Sequence, residues 1–149
     1  MRITICGSIA FIKEMEQLAV LLQELGHQVK FPPTKVPGEK GDLIDASEYY
    51  KFKKSSTSND DWIWQNHSQR IIDHFQKITE SDSVLIANYS KNGIENYIGP
   101  NTLMEMGVAF YLKKPIYLLN PIPEISYKEE ILGVKPIVIN GDLAKVKML

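Results

Sequence analysis

Short apolar strands alternate along this chain with segments of helical period, and the strands show no in–out alternation of apolar and polar residues. Strands of that kind are covered on both faces, which predicts an α/β fold with a parallel sheet. The expected architecture is a Rossmann- or flavodoxin-like three-layer sandwich around five strands in the order 2-1-3-4-5, with right-handed crossovers.

The elements follow in order. Residues 2–6 (RITIC) form a buried strand that ends at Gly7. Met15, Leu18, Ala19, Leu22 and Leu25 recur at spacings of three and four, giving one apolar helix face, with Gly26 as the stop. Residues 27–31 (HQVKF) are the second strand, closed by Pro32 and Pro33. Composition then shifts: residues 32–61 are rich in Pro, Gly, Lys and Ser, and a stretch this long is expected to be a loop or a lid. From Trp62 the helical period returns, with Trp64, Ile71, Phe75 and Ile78 on one face and Asp60 or Asp61 placed to cap it. Residues 83–88 (SVLIAN) are the third strand, followed by a polar loop over 89–100 in which Asn92-Gly93 marks a turn. A helix over 102–112 turns Leu103, Met106 and Phe110 inward, and residues 115–119 and 136–139 supply the fourth and fifth strands.

The 149 residues suit a single domain spanning 1–149, with 32–61 as its excursion. A net charge of −1 gives no general attraction to nucleic acid or to a membrane surface, and neither is expected as a partner. No apolar run approaches the ~18 residues of a membrane span. The single cysteine, Cys6, excludes an intrachain disulfide and leads us to expect a reducing, cytoplasmic setting.

In sheets of this order, ligands bind beyond the carboxyl ends of the strands where the order reverses. That point lies between the first and third strands, and it gathers Gly7-Ser8-Ile9 and the loop from Tyr89 to Asn101. Gly7 permits a tight turn; Ser8 offers a hydroxyl to a ligand, or simply caps the next helix. Tyr89, Asn92, Tyr97 and Asn101 bring aromatic and amide groups to the same mouth, either for a ligand or for solvent. No GxGxxG or P-loop is present, so no dinucleotide or ATP motif is found and no cofactor is expected.

Glu105 has two readings. It completes a Thr102-x-x-Glu capping box in the first turn of its helix, or it faces the crevice as a nucleophilic carboxylate. His67 and His74 are seven residues apart and so share a helix side. His74, beside Asp73, would titrate near neutrality. With one distant cysteine, no metal-ligand spacing emerges and no metal is expected. Residues 49–54 (YYKFKK) interleave aromatics and lysines, as a solvated excursion or as a lid that stacks on a base.

The CGSI at residues 6–9 and the segment SDSVLIANY…LMEMGVAFYLKKPIYLLNP over 81–121 resemble nucleoside 2-deoxyribosyltransferase-like proteins, in particular the 2′-deoxynucleoside 5′-phosphate N-hydrolases. The match covers about the first 30 residues and residues 70–121. The resemblance implies a homodimer that cleaves or transfers the N-glycosidic bond of a nucleoside or nucleotide. It makes Glu105 the nucleophile that forms a glycosyl intermediate, and it sets Ser8 and Ile9 near a substrate phosphate. The second carboxylate of the family falls on His74 when aligned without a gap, or on Asp73 with one residue of slippage. The family's first-strand tyrosine falls on Thr4, leaving Tyr89 or Tyr97 to stand in for it. The alternative is a nucleotide-binding or sensing domain of the same fold without turnover.

Overall fold

The computed structural model describes residues 1–147, so the last two positions of the expected 1–149 domain lie outside the described residues. In chain order the elements are β1 (Arg2–Cys6), α1 (Ile12–Glu24), β2 (Gln28–Lys30), β3 (Lys35–Pro37), β4 (Leu43–Asp45), α2 (Ala46–Ser55), α3 (Trp62–Glu80), β5 (Ser83–Ile86), α4 (Pro100–Tyr111), β6 (Ile116–Leu118), α5 (Lys128–Gly133) and β7 (Ile137–Val138). The main sheet is β2-β1-β5-β6-β7, with every neighbouring pair parallel. Its numerals differ from the expected 2-1-3-4-5 because β3 and β4 intervene in the chain and pair with each other in a separate antiparallel sheet.

Alternate residues of each strand point to opposite faces, and here both faces are covered. Ile3, Ile5 and Leu85 pack on Met15, Leu18 and Leu22 of α1. Cys6, Val84 and Ile86 point the other way, into Ile78 of α3, Met106 and Ala109 of α4, and Ile131 of α5. That is why the strands read as continuous apolar runs. The start of the β1–β5 pair is pinned by Asp82, which accepts from the Arg2 backbone N–H at 2.7 Å and from its guanidinium at 2.6 Å.

Several expectations are corrected. Leu25 and Phe110 are about half exposed, at 52% and 50%, rather than in the core. Leu25 is the C-cap of α1, where the chain leaves the helix path, and α4 buries Met106 and Ala109 instead of Phe110. Residues 32–61 are not a plain loop. They fold into the β3–β4 hairpin and α2, held to α3 by Val36, Tyr49 and Ile63, with the Tyr49 hydroxyl donating to the Ile63 carbonyl at 2.9 Å. Strands of three residues are too short to show a period, so composition alone reads as loop. Asp61 is the N-cap position of α3, but its side chain makes no capping bond there. It accepts instead from the Ser56 hydroxyl.

Beyond β5 and β6 the chain is held by a buried amide clasp. The Asn88 side chain donates to the Asn120 and Pro121 carbonyls at 3.0 Å each and accepts from the Asn120 N–H at 2.9 Å. An Asn88→Ala variant leaves these groups without partners. Each such bond contributes about 1 kcal/mol net, and an unsatisfied group costs more. The expected loss is therefore roughly 2–4 kcal/mol, read as a lower urea midpoint with unchanged slope. A midpoint equal to that of the parent would show that the clasp does not hold these loops.

Candidate functional site

A cavity of about 610 Å³ opens beyond the end of β1. Its floor is Gly7, Ser8 and Ile9, one wall is α3 from Trp64 to Lys77, a second is α2, and Pro32, Pro33, Lys91, Tyr97 and the first turns of α4 complete it. Along α3, His67, Arg70, His74 and Lys77 reach the cavity at spacings of three and four, the period that puts residues on one helix face. Gly7 is required here for space. A Cβ on it would lie 3.1 Å from the Ala87 carbonyl oxygen and 3.2 Å from the Met15 sulfur. At Gly99, a Cβ would press within 3.2 Å of the Tyr97 ring.

Glu105 is not in a capping box. Pro100 occupies the first turn of α4 and Gly99 is the N-cap, so the helix starts before Thr102 and carries no acid in its first turn. Thr102 is buried within the helix and Glu105 lies a turn further on, at the cavity wall, with its side chain 14% exposed. Its Oε1 is 3.7 Å from His74 Nε2, beyond hydrogen-bond length. Among the described residues, Glu105 Oε2 and His74 Nε2 are buried and have no hydrogen-bond partner. Buried polar atoms left open in this way are uncommon, and they are candidates for contact with a ligand or for proton exchange.

Burial pushes the Glu105 carboxyl up to about 8, with a hydrogen bond from Cys6 and the charge of Lys77 acting in the opposite direction. Burial also pulls His74 down to about 4, helped by the charges of Lys77 and Arg70. This corrects the expectation that His74 titrates near neutrality: a charge in this position is poorly solvated. Glu105 therefore keeps its proton at neutral pH, and His74 is a neutral base beside it.

Of the residues expected at the site, the structure places Gly7, Ser8, Ile9, Asp73, His74, Tyr97, Asn101 and Glu105 on the cavity. Asp73 is exposed at its edge and accepts from the Gln69 amide at 2.9 Å. Ser8 caps the turn that follows it, accepting from the Ala10 N–H at 3.4 Å, and it also accepts from Lys91 Nζ at 2.9 Å. Tyr89 and Asn92 are not among the lining residues. Tyr89 packs edge-on against Phe11, with ring centroids 5.5 Å apart, and Asn92 takes a turn position at φ 53°. Thr4 is also elsewhere, with its hydroxyl donating to the Lys77 carbonyl at 3.1 Å.

Sequence reasoning missed Cys6 as a neighbour of Glu105, and it missed Arg70 and Lys77. The helical spacing from His67 and His74 points to the latter two. Ligand atoms of Cys6, His74 and Glu105 lie within 4.8 Å of one another, a grouping able to hold a metal ion that spacing along the chain does not reveal. The positive charges of Lys77 and Arg70 felt at His74 oppose a dication there.

The raised Glu105 carboxyl makes a stability prediction with a definite sign. Above the ordinary carboxylate value of 4.5 the unfolded chain releases this proton and the folded chain keeps it, so the cost to folding grows as the pH rises toward about 8. A Glu105→Gln variant escapes that cost. Its melting temperature should exceed that of the parent by a margin that widens to several degrees between about pH 5 and pH 8 in scanning calorimetry. A margin constant across that range would place the Glu105 titration at its ordinary value.

No family model matches the chain, and no curated protein matches it. Solved structures similar to it include a 2-deoxyribosyltransferase from the psychrotolerant bacterium Bacillus psychrosaccharolyticus, at 17% identity and a TM-score of 0.45 over 79% of this chain and 71% of that one. They also include the CMP N-glycosidase BcmB of Clostridium botulinum, at 18% identity and a TM-score of 0.48 over 94% of this chain and 90% of that one.

Proposed function

We propose that this protein cleaves or transfers the N-glycosidic bond of a nucleoside or nucleotide, with Glu105 as nucleophile. The observation that carries the reading is the open Glu105 carboxyl at a cavity wall, with the unpartnered nitrogen of His74 beside it. The CGSI and LMEMG segments that resemble the deoxyribosyltransferase-like proteins contribute Gly7, Ser8, Ile9 and Glu105 to that same cavity.

In this reading Glu105 reacts as its carboxylate, having lost its proton to solvent, with the unpartnered His74 Nε2 3.7 Å away. The carboxylate then attacks the anomeric carbon, forming a C–O bond as the C–N bond breaks. The bonding pair leaves with the base, which takes up a proton that Asp73, exposed at the cavity edge, relays from water. Water, or a second base, then attacks the glycosyl ester and returns Glu105. Burial assists by excluding competing water around an oxocarbenium-like centre.

A binding or sensing role without turnover is the second reading. It is favoured by the neutral state of Glu105 and by Thr4 standing where the family has a tyrosine. A panel of nucleosides and their monophosphates separates the two by chromatography of free base. Release by the parent, cut by roughly three orders of magnitude in Glu105→Gln, supports the enzyme. Its rate should rise with pH up to about 8, as Glu105 loses its proton. Binding without release from any compound supports the sensor.

A homodimer is also proposed. Ile72 on α3 and Met104 and Tyr111 on α4 are exposed apolar side chains, at 57%, 44% and 84%, that a second copy would cover. Sedimentation equilibrium should then give twice the 17.0 kDa of one chain, and a single-chain mass would remove the proposal. The cytoplasmic setting likewise stays a proposal, in keeping with the free, buried Cys6 thiol. Among the described residues, no helix is long and apolar enough to cross a membrane.

A further inference from the structure

One end of the cavity holds four cations and no carboxylate paired with them. Lys53 and Lys54 come from α2, Arg70 from α3, and Lys91 from the loop between β5 and α4. None of the four is ion-paired among the described residues. Lys53, Lys54 and Lys91 surround the Tyr50 ring at 5.6, 5.4 and 5.0 Å from its centroid. Arg70 stacks over the Tyr49 ring at 4.3 Å, and its Nη1 is buried without a hydrogen-bond partner. Burial and the charges of Arg70, Lys54 and Lys91 lower Lys53 to about 8. These like charges repel one another, and an anion among them would relieve that repulsion.

We propose that the substrate carries a chain of two or more phosphoryl groups, as a nucleoside diphosphate or triphosphate does, and that Lys53, Lys54, Lys91 and Arg70 clamp that chain. The proposal rests on the N-glycosidic reading for the position of the sugar. Arg70 precedes His74 by four residues on α3, so the two share a face about 6 Å apart along the axis. With the anomeric carbon at Glu105 beside His74, the 5′ side of the sugar can extend toward Arg70, and further phosphoryl groups toward Lys53 and Lys54.

Charge argues for more than one phosphoryl group. A monoester brings about −2 at neutral pH, which leaves roughly half of four cations unneutralised. The donors also suit a phosphoryl chain, since Arg70 offers a planar fork for two phosphate oxygens and the lysines are mobile point charges. The cavity, at about 610 Å³, is within the usual size of small-molecule sites. The clamp gives the excursion a function, because α2 supplies two of its four cations.

Calorimetric titration of adenosine, AMP, ADP and ATP, repeated with the cytidine series and with inorganic tripolyphosphate, tests the proposal. The dissociation constant should fall at least tenfold from monophosphate to triphosphate in one series. That gain should shrink most of the way in Lys53→Ala/Lys54→Ala and in the milder Lys54→Gln. It should also shrink in the parent as salt is raised, while nucleoside binding hardly moves. Monophosphate and triphosphate binding equally within twofold, or a gain unchanged in both variants, overturns the clamp. Tripolyphosphate binding as tightly as the triphosphates overturns the nucleotide assignment. Base release is read on the same mixtures: its absence defeats the N-glycosidic reading, and the affinities still decide the clamp.

Discussion

The parallel pairing of β1 with β5 sets the position of nearly everything else. Ile3 lies opposite Ser83 and Cys6 opposite Ile86, so the two strands reach their carboxyl ends together. Their order reverses at this pair: β2 lies outside β1, and β6 outside β5. The connections from these ends therefore leave toward opposite layers and open a crevice between them. Gly7 sits at the crevice floor so close to Ala87 that a side chain there would need a neighbour to move. Slipping this register by one residue would turn Cys6 away from Glu105 and Ile5 away from α1.

Burial in the crevice has opposite consequences at its two ends. Around Glu105, burial holds a carboxyl neutral beside a neutral imidazole, against the opposing pull of the Cys6 thiol. About one turn away along α3, and across to α2, cations are gathered with no acid paired to them among the described residues. Both arrangements oppose folding, and the stability they withhold comes from the sheet and its helices. Sites that hold unsatisfied or uncompensated groups are where proteins commonly do chemistry or bind charge.

The long period-3.6 helices and the buried strands are legible in the sequence because each has enough residues to repeat its pattern. Their alternation indicates the α/β class and the parallel sheet. Three-residue strands carry no period, so the hairpin and α2 show only as a compositional change. The start of α4 is obscured for a related reason: Thr102-x-x-Glu105 imitates a cap, while Pro100 already begins the helix. Tyr89 and Asn92 belong to the mouth's loop without reaching the cavity, because loop direction is not written in a loop's composition.

Local patterns along the chain are enough to specify the parallel sheet, its covered faces, and the nearness of Gly7, Ser8 and Ile9 to the start of α4. These follow from periodicity and from the few ways such units can pack. Folding alone settles which groups meet across long chain distances: Cys6 with His74 and Glu105, and Lys53 with Arg70 and Lys91. Those encounters depend on side-chain direction at a crossing of elements, and burial then decides which of the groups carry charge. Neither is encoded in any one segment.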